Sequence, residues 1–410
     1  MKTRKFLVVD YEAGLETARR LQEDGNEVYY YSPWDKAYAE WWPYAKGDGF
    51  GVPKVKHWAT VIDKVDYVVF PEGNGHMADW LREKGYRVFG PNTRGESLEQ
   101  DRLHAKRVFK DLGVDFPRTY QATGVQEALD YLEGHKGGHF LKLNTFRGDL
   151  ETVKVDSADE AEAFFCNLHT RLGPFSKSIP IIIEEEVEGC YIGVDSFFNG
   201  DDWYRPFLFG FEDFGADAIE KAAEHTPFDE TFDRLRPFFQ EIGYRGPFSL
   251  EGILTEDGRV FVIDPSSRFP FTLSMIYINH LKNFSDVIAG TADGEDVVPE
   301  YESKYAVNLN MTIEEKTGKP GWFVVDHPKD VKVRYINAAK MNGKVYVHTG
   351  DYKPSIVVTA MRPTIQEAFA DAEVQMGKVK VIHGQYNDSA ETTFLLEYIE
   401  PFNKMVGEAF

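Results

Sequence analysis

The sequence predicts an α/β protein that opens on a parallel sheet, continues through a strand-rich middle and closes on a small mixed tail. Three observations predict it. Strand-like and helix-like segments alternate through the first ninety residues, the pattern of βα units with parallel strands. A length of 410 residues suggests two or three domains at roughly 150 residues each. Apolar residues make up 42% and charged residues 28%, an ordinary globular balance that excludes disorder and collagen-like order.

In the first segment, Lys5–Val9 is apolar and β-branched and reads as a buried strand. Leu15–Leu21 has helical spacing and stops at Gly25-Asn26. Glu27–Tyr31 and Asp66–Phe70 are further strands, the latter ending in Pro71-Glu72-Gly73-Asn74-Gly75. Met77–Lys84 reads as a helix, and Tyr86–Phe89 as a fourth strand ending in Gly90-Pro91. Ligands of open α/β sheets bind at the carboxyl ends of strands, where both turns fall. Trp34–Trp58 is rich in Trp, Tyr and Gly without a clear period and reads as a surface loop or part of a substrate wall.

Ser97–Leu112 reads as one amphipathic helix and Val125–Glu133 as another. His139–Leu143 and Glu151–Val155 are strands joined by a polar loop, and Ala158–Leu172 is helical. Ile181–Val187 and Tyr191–Phe198 are strands flanking Glu188-Gly189, and Phe228–Ile242 is helical. Pro247–Leu254 and Val260–Asp264 form a hairpin across Thr255-Glu256-Asp257-Gly258. Leu273–Gly290 is mostly helical, and Thr291–Glu300 is a charged linker. The rest is short strands with one helix, Thr364–Met376. The expected domains are 1–92, 93–300 and 301–410.

Acidic residues outnumber basic ones by 67 to 46, a net charge of −21, the opposite of a nucleic-acid binder. Two cysteines cannot build a disulfide scaffold or a Cys-rich zinc site, and they fit a reducing, cytoplasmic compartment. The apolar runs Phe6–Val9 and Ile179–Ile183 are too short for an export signal or a membrane span.

Chemistry concentrates in three places. In the hairpin, Glu251 and Asp264 lie thirteen residues apart on two strands, and the turn brings both carboxylates toward one face. Ser266 adds an oxygen, a set that suits Mg²⁺ holding phosphate, or else two solvated strand acids. Arg268 follows and can fork onto a phosphate. Lys142 sits in the apolar strand Phe140-Leu-Lys-Leu143 and needs an anionic partner unless it reaches solvent at an edge. The loop after it, Asn144-Thr-Phe-Arg147-Gly148-Asp149, offers one guanidinium and one glycine to phosphates. Ile181–Ile183 then runs into Glu184-Glu185-Glu186-Val187-Glu188-Gly189, a strand-to-loop hinge whose backbone can read a flat polar ring. Gly73-Asn-Gly75 lacks the third glycine of a dinucleotide fingerprint.

These signals, in this order, resemble the ATP-grasp carboxylate–amine ligases, and within them the phosphoribosylamine–glycine ligases. The resemblance covers most of the chain, from Phe89-Gly90-Pro91 to Lys344-Val-Tyr-Val-His-Thr-Gly350. It implies an ATP-grasp fold with an N-terminal pre-ATP-grasp domain and a small C-terminal domain. It implies that ATP is bound by Arg102, Lys142, Arg147 and Gly148, and at the adenine hinge by Glu184, Glu185, Glu186 and Val187. It implies Mg²⁺ on Glu251, Asp264 and Ser266, with Arg268 catalytic at the transferred phosphate. Arg102 stands where the family has a lysine, and Asp264 and Ser266 stand where it has Glu and Asn. The family's ribose carboxylate falls at Tyr191, so that contact is either lost or moved to Glu188 or Asp195. The family stretch Gly-Pro-Asn-Thr-Gly-Gly-Met-Gly is absent, its region being occupied by Phe211–Phe228.

The function implied is ligation of a small-molecule carboxylate to an amine through an acyl phosphate, releasing ADP and phosphate. Two alternatives stay open: the phosphoribosylamine–glycine ligase activity itself, and a non-catalytic nucleotide-binding protein of the same fold.

Overall fold

Alternation of apolar strands with amphipathic helices builds the first sheet, seen in a computed structural model. It describes residues 3–11, 14–33, 45–145, 152–212, 218–270, 273–313, 321–348, 356–381, 384–386, 389–407 and 410. The elements are β1 (Lys5–Val9), α1 (Gly14–Glu23), β2 (Glu27–Tyr31), β3 (Tyr67–Val69), α2 (Gly75–Glu83) and β4 (Val88–Phe89). All pairings are parallel, in the order β2-β1-β3-β4. Phe6, Leu7 and Val8 are fully buried, as a strand covered on both faces requires. Much of the aromatic loop expected at 34–58 lies outside the described residues; its last part, 45–57, is turns and bends.

The expected helix Ser97–Leu112 is two helices, α3 (Thr93–Gln100) and α4 (Arg102–Leu112). Asp101 breaks it: its carboxylate accepts from His104 N at 2.9 Å and caps the second helix. A small antiparallel sheet follows, built from β5 (Thr119–Thr123), β6 (His139–Leu143), β7 (Thr152–Val155) and β8 (Pro180–Glu185), in the order β5-β8-β6-β7. Two helices flank these strands, α5 (Gly124–Gly134) and α6 (Ala158–Leu172), whose apolar faces share one core with them.

The large sheet takes β9 (Cys190–Phe198), β10 (Phe207–Glu212) and β11 (Ala218–Ala223); α7 (Asp229–Glu241) follows, then the hairpin β12 (Gly246–Leu254) and β13 (Val260–Ser266). Strands β10 and β11 lie where no strand was expected. The expected helix Leu273–Gly290 is α8 (Ser274–His280) and α9 (Phe284–Asp293). The tail holds β14 (Tyr305–Ile313), β15 (Trp322–Asp326), β16 (Val333–Tyr335), β17 (Ala338–Met341), β18 (Lys344–His348), β19 (Ile356–Arg362), α10 (Ile365–Met376), β20 (Lys380–Val381), β21 (Gly384–Tyr386) and α11 (Ser389–Val406). α11 is a second helix in a tail where the sequence indicated one.

The large sheet runs β13-β12-β9-β10-β11-β14-β19-β16, with β21 also on β14. Sheet pairing is therefore continuous across residue 300. Its core face carries Phe198, Phe207 and Phe248, which pack on Phe232 and Phe239 of α7 and on Trp203. Such ring pairs add about 0.5–1.5 kcal/mol each beyond area burial. The opposite face carries the candidate site, with Phe197 packed on Phe89, Phe269 and Tyr277 beside it.

A buried charge cluster ties the tail to the first segment. Arg334 of β16 donates to Glu16 at 3.1 Å, to Glu23 at 3.1 and 2.9 Å, and to Asn279 at 2.7 Å. Glu16 is fully buried and also accepts from Tyr335 N. Removing one partner of a buried pair leaves the other charge uncompensated. We expect Arg334→Ala to destabilise the protein by about 3–5 kcal/mol in urea unfolding at pH 7. Arg334→Lys should lose less.

Candidate active site between two sheets

The hinge Glu184–Gly189 joins the last strand of the small sheet, β8, to the first of the large one, β9. Side chains from both sheets therefore meet beside it. Glu184 is 2% exposed and lies between two lysines, with Lys106 Nζ at 2.7 Å and Lys142 Nζ at 3.0 Å. This is the anionic partner that Lys142 needed. Burial would raise the Glu184 carboxyl, but the two ammonium groups outweigh it and hold it at about 2. Burial pulls the Lys106 ammonium below its ordinary value, against Glu184 and with repulsion from Lys142. Burial opposes Lys142 as well, but Glu184 and Asp264 overcome it and raise that group.

The second sheet closes in from the other side. Lys142 Nζ donates to Ile263 O at 3.3 Å, and Arg102 Nη2 lies 3.4 Å from Asp264 Oδ2. Arg102 also donates to Leu143 O at 2.9 Å. Asn144 is fixed by Leu103 N at 2.8 Å and Asp101 at 3.1 Å, which anchors the start of the loop after β6. Lys106, Lys142 and Arg102 against Glu184 and Asp264 leave one net positive charge, a setting that favours an anion.

The hairpin register is Glu251 opposite Asp264 and Ser249 opposite Ser266. Directly paired residues face the same side, so both acids and both serines point into one recess. Gly252 pairs with Val262, so Ile263 is an extra residue, a β-bulge beside the site. Burial, then the neighbouring Glu212 and Asp264, push the Glu251 carboxyl well above the ordinary carboxylate range. Glu251 hydrogen-bonds Glu212. Among the described residues no three His, Cys, Asp or Glu side chains converge as a closed metal cage. Two carboxylates that repel each other beside this cluster of cations nevertheless fit Mg²⁺, which takes one or two protein carboxylates and completes its shell with phosphate and water.

Arg268 lines the same recess, and Glu99 orients its Nε at 2.8 Å. Phe269 N donates to Pro71 O at 2.9 Å, which brings the Pro71–Gly75 turn alongside. Glu185 pairs with Arg118 at 3.2 Å and Glu186 with Lys154 at 2.7 Å, so these carboxylates face outward. Glu185 N and Glu186 N donate to Arg118 O and Gly138 O. Val187 and the exposed Glu188 complete the hinge. Of the two positions open for a ribose contact, Asp195 lies deep in the recess. Arg147 and Gly148 lie outside the described residues.

Sequence reasoning missed Lys106, Glu212 and Glu220. Lys106 had a signal: Arg102, Ala105, Lys106 and Phe109 share the buried stripe of α4 at helical spacing. Glu212 and Glu220 had none, because their strands were not recognised.

With this geometry, the comparisons define the class: the chain has an ATP-grasp fold. The phosphoribosylamine–glycine ligase from Thermotoga maritima superposes with a TM-score of 0.71 at 18% identity, covering 93% of this chain and 98% of that one. The biotin carboxylase domain of Hydrogenobacter thermophilus 2-oxoglutarate carboxylase, solved with MgADP, ADP and bicarbonate, also scores 0.71. It is 14% identical, covering 100% of this chain and 96% of that one. A curated phosphoribosylamine–glycine ligase from Streptococcus pneumoniae (strain ATCC BAA-255 / R6) is 24% identical over 342 residues, 74% of this chain and 78% of that protein. The resemblance to phosphoribosylamine–glycine ligases is thereby supported. No protein-family model matches the chain. Among the described residues no helix is long and apolar enough to cross a membrane.

Two outcomes follow. Glu184→Ala leaves two lysines buried without their carboxylate and should cost about 3–5 kcal/mol in urea unfolding at pH 7. Asp195 is raised to about 6 by burial, with Glu251 adding to it. A carboxyl raised in the folded state contributes stability that is complete below its unfolded value near 3.8 and lost as pH rises through about 6. Asp195→Asn should therefore stabilise the ligand-free protein by about 1–3 kcal/mol at pH 8 and by much less at pH 4.5, measured by denaturant unfolding.

Proposed function

We propose that the protein is an ATP-dependent ligase that joins a small-molecule carboxylate to an amine and releases ADP and phosphate. One observation carries the reading. Lys142 and Arg102, from the first half of the ATP-grasp region, reach Ile263 and Asp264 of the hairpin, so two predicted phosphate ligands lie beside a predicted metal ligand. The relatives named ligases support the same reading.

In this mechanism the nucleotide lies between the small and large sheets, its adenine at the 184–187 hinge. Lys142, Lys106 and Arg102 offset phosphate charge. Glu251 and Asp264, with Ser266, would hold Mg²⁺, which when bound neutralises phosphate oxygens. Arg268, oriented by Glu99, forks onto the γ-phosphate. Arg147 and Gly148 belong to the loop proposed to cover the phosphates. A substrate carboxylate oxygen attacks the γ-phosphorus, and the bond to ADP breaks. The amine nitrogen then attacks the acyl carbon, the carbon–oxygen bond to phosphate breaks, and the nitrogen gives up a proton. The chain supplies position and fixed charge, and no protein atom forms a covalent bond.

A screen of ADP release over paired carboxylates and amines tests the reading. Turnover should require Mg²⁺, vanish with EDTA, and fall about 10²–10³-fold in Asp264→Asn. Failure of every pair, together with no melting shift from MgATP, would sink it.

A further inference from the structure

The recess continues across the large sheet beyond the hairpin. One line of directly paired residues runs Asp264, Glu251, Gly193, Gly210, Glu220 over five adjacent strands. Carboxylates stand at its ends and no side chain stands in the middle. With strands about 4.8 Å apart, roughly 14 Å separates Glu251 from Glu220 along this line. The two glycines differ in kind. A Cβ on Gly210 would lie 1.9 Å from Ile219 O, so backbone packing requires that glycine. A Cβ on Gly193 would meet nothing nearer than 4.0 Å, so this one leaves a floor open.

Asp195, two residues beyond Gly193 on β9, and Glu220, at the end of the line on β11, are both 3% exposed, line the recess and share a hydrogen bond. The Ser249 hydroxyl donates to Asp195 Oδ1. Among the described residues Glu220 Oε2 is buried with no hydrogen-bond donor. A buried acceptor without a donor carries its full desolvation cost, which an entering donor removes. The donor must also carry charge, because among the described residues two carboxyl groups meet here without a cation. Among the described residues lining the recess, Arg268 is the one basic side chain, and Glu99 holds it. This acidic end occupies the region where the glycine-rich family stretch is absent.

We propose that Asp195 and Glu220 form a subsite for a cationic nitrogen of the small-molecule substrate, an ammonium or guanidinium group on a slender chain that crosses Gly193. The assignment rests on the ligase reading for the word substrate, but not for the binding itself. It narrows the substrate class to cationic compounds.

The probes are 1,4-diaminobutane, its uncharged analogue 1,4-butanediol and the dianion succinate, titrated calorimetrically into the full chain. MgADP is titrated into the same samples. The expected result is that 1,4-diaminobutane binds the wild type, while butanediol and succinate do not. Its affinity falls at least tenfold in Glu220→Gln, which keeps the shape, and in Gly193→Val, which fills the floor and keeps every charge. No binding to wild type, equal binding to Glu220→Gln, or equal binding of butanediol would overturn the subsite. So would Mn²⁺ that displaces the diamine and is itself lost in Glu220→Gln, since that result marks a metal site. MgADP separates the two readings. Diamine binding that depends on Glu220 without any MgADP binding leaves the subsite and removes the ligase; the reverse removes the subsite alone.

Discussion

One carboxylate shared by two buried lysines holds the site together. Glu184 sits on β8, Lys106 on α4 and Lys142 on β6, and Lys142 reaches on to Ile263 of β13. One helix and three strands from two sheets are therefore joined through Glu184 and Lys142. The arrangement of two lysines and one carboxylate is short of one negative charge. A buried cation without full compensation is costly in an empty protein and favourable once an anion arrives. In the proposed ligase, the stability given up in the ligand-free state would become affinity for phosphate.

The acidic face of the large sheet shows the same logic with the sign reversed. Asp195, Glu220 and Glu251 are pushed toward protonation by burial first and by neighbouring acids second: Glu251 acts on Asp195, Asp195 on Glu220, and Glu212 and Asp264 on Glu251. Neighbouring regions of one cleft thus carry opposite imbalances, one lacking an anion and the other lacking a cation. The net charge of −21 hides this, because composition averages over surface and cleft. Binding chemistry is set by where uncompensated charge is buried, and the overall balance governs solubility and non-specific partners.

Local signals carried much of the fold. The four parallel strands and the Glu251–Asp264 hairpin were legible because each rests on short-range pattern: apolar runs, turn residues, and a register fixed by the turn. Strand β11 was not legible. Its sequence Ala-Ile-Glu-Lys-Ala-Ala is made of good helix formers, and pairing between β10 and β14 overrides that preference. The ownership of Glu184 was hidden for another reason. An acidic run at a strand end reads as a solvated cap, and only long-range packing shows which acid turns inward. Glu184 does so, while Glu185 and Glu186 meet Arg118 and Lys154.

The extra residue at Ile263 has a consequence for parity. Val260 and Val262 belong to the apolar side of β13, and strict alternation would keep Asp264 and Ser266 on that side with them. The inserted residue shifts the phase by one, so even-numbered positions before it feed the core and even-numbered positions after it feed the cleft. A single short strand thereby serves both faces of the sheet. Were the ladder to close up against Ile263, Asp264 would turn toward the side where Phe228 crowds Gly252, and the nucleotide would face an isoleucine.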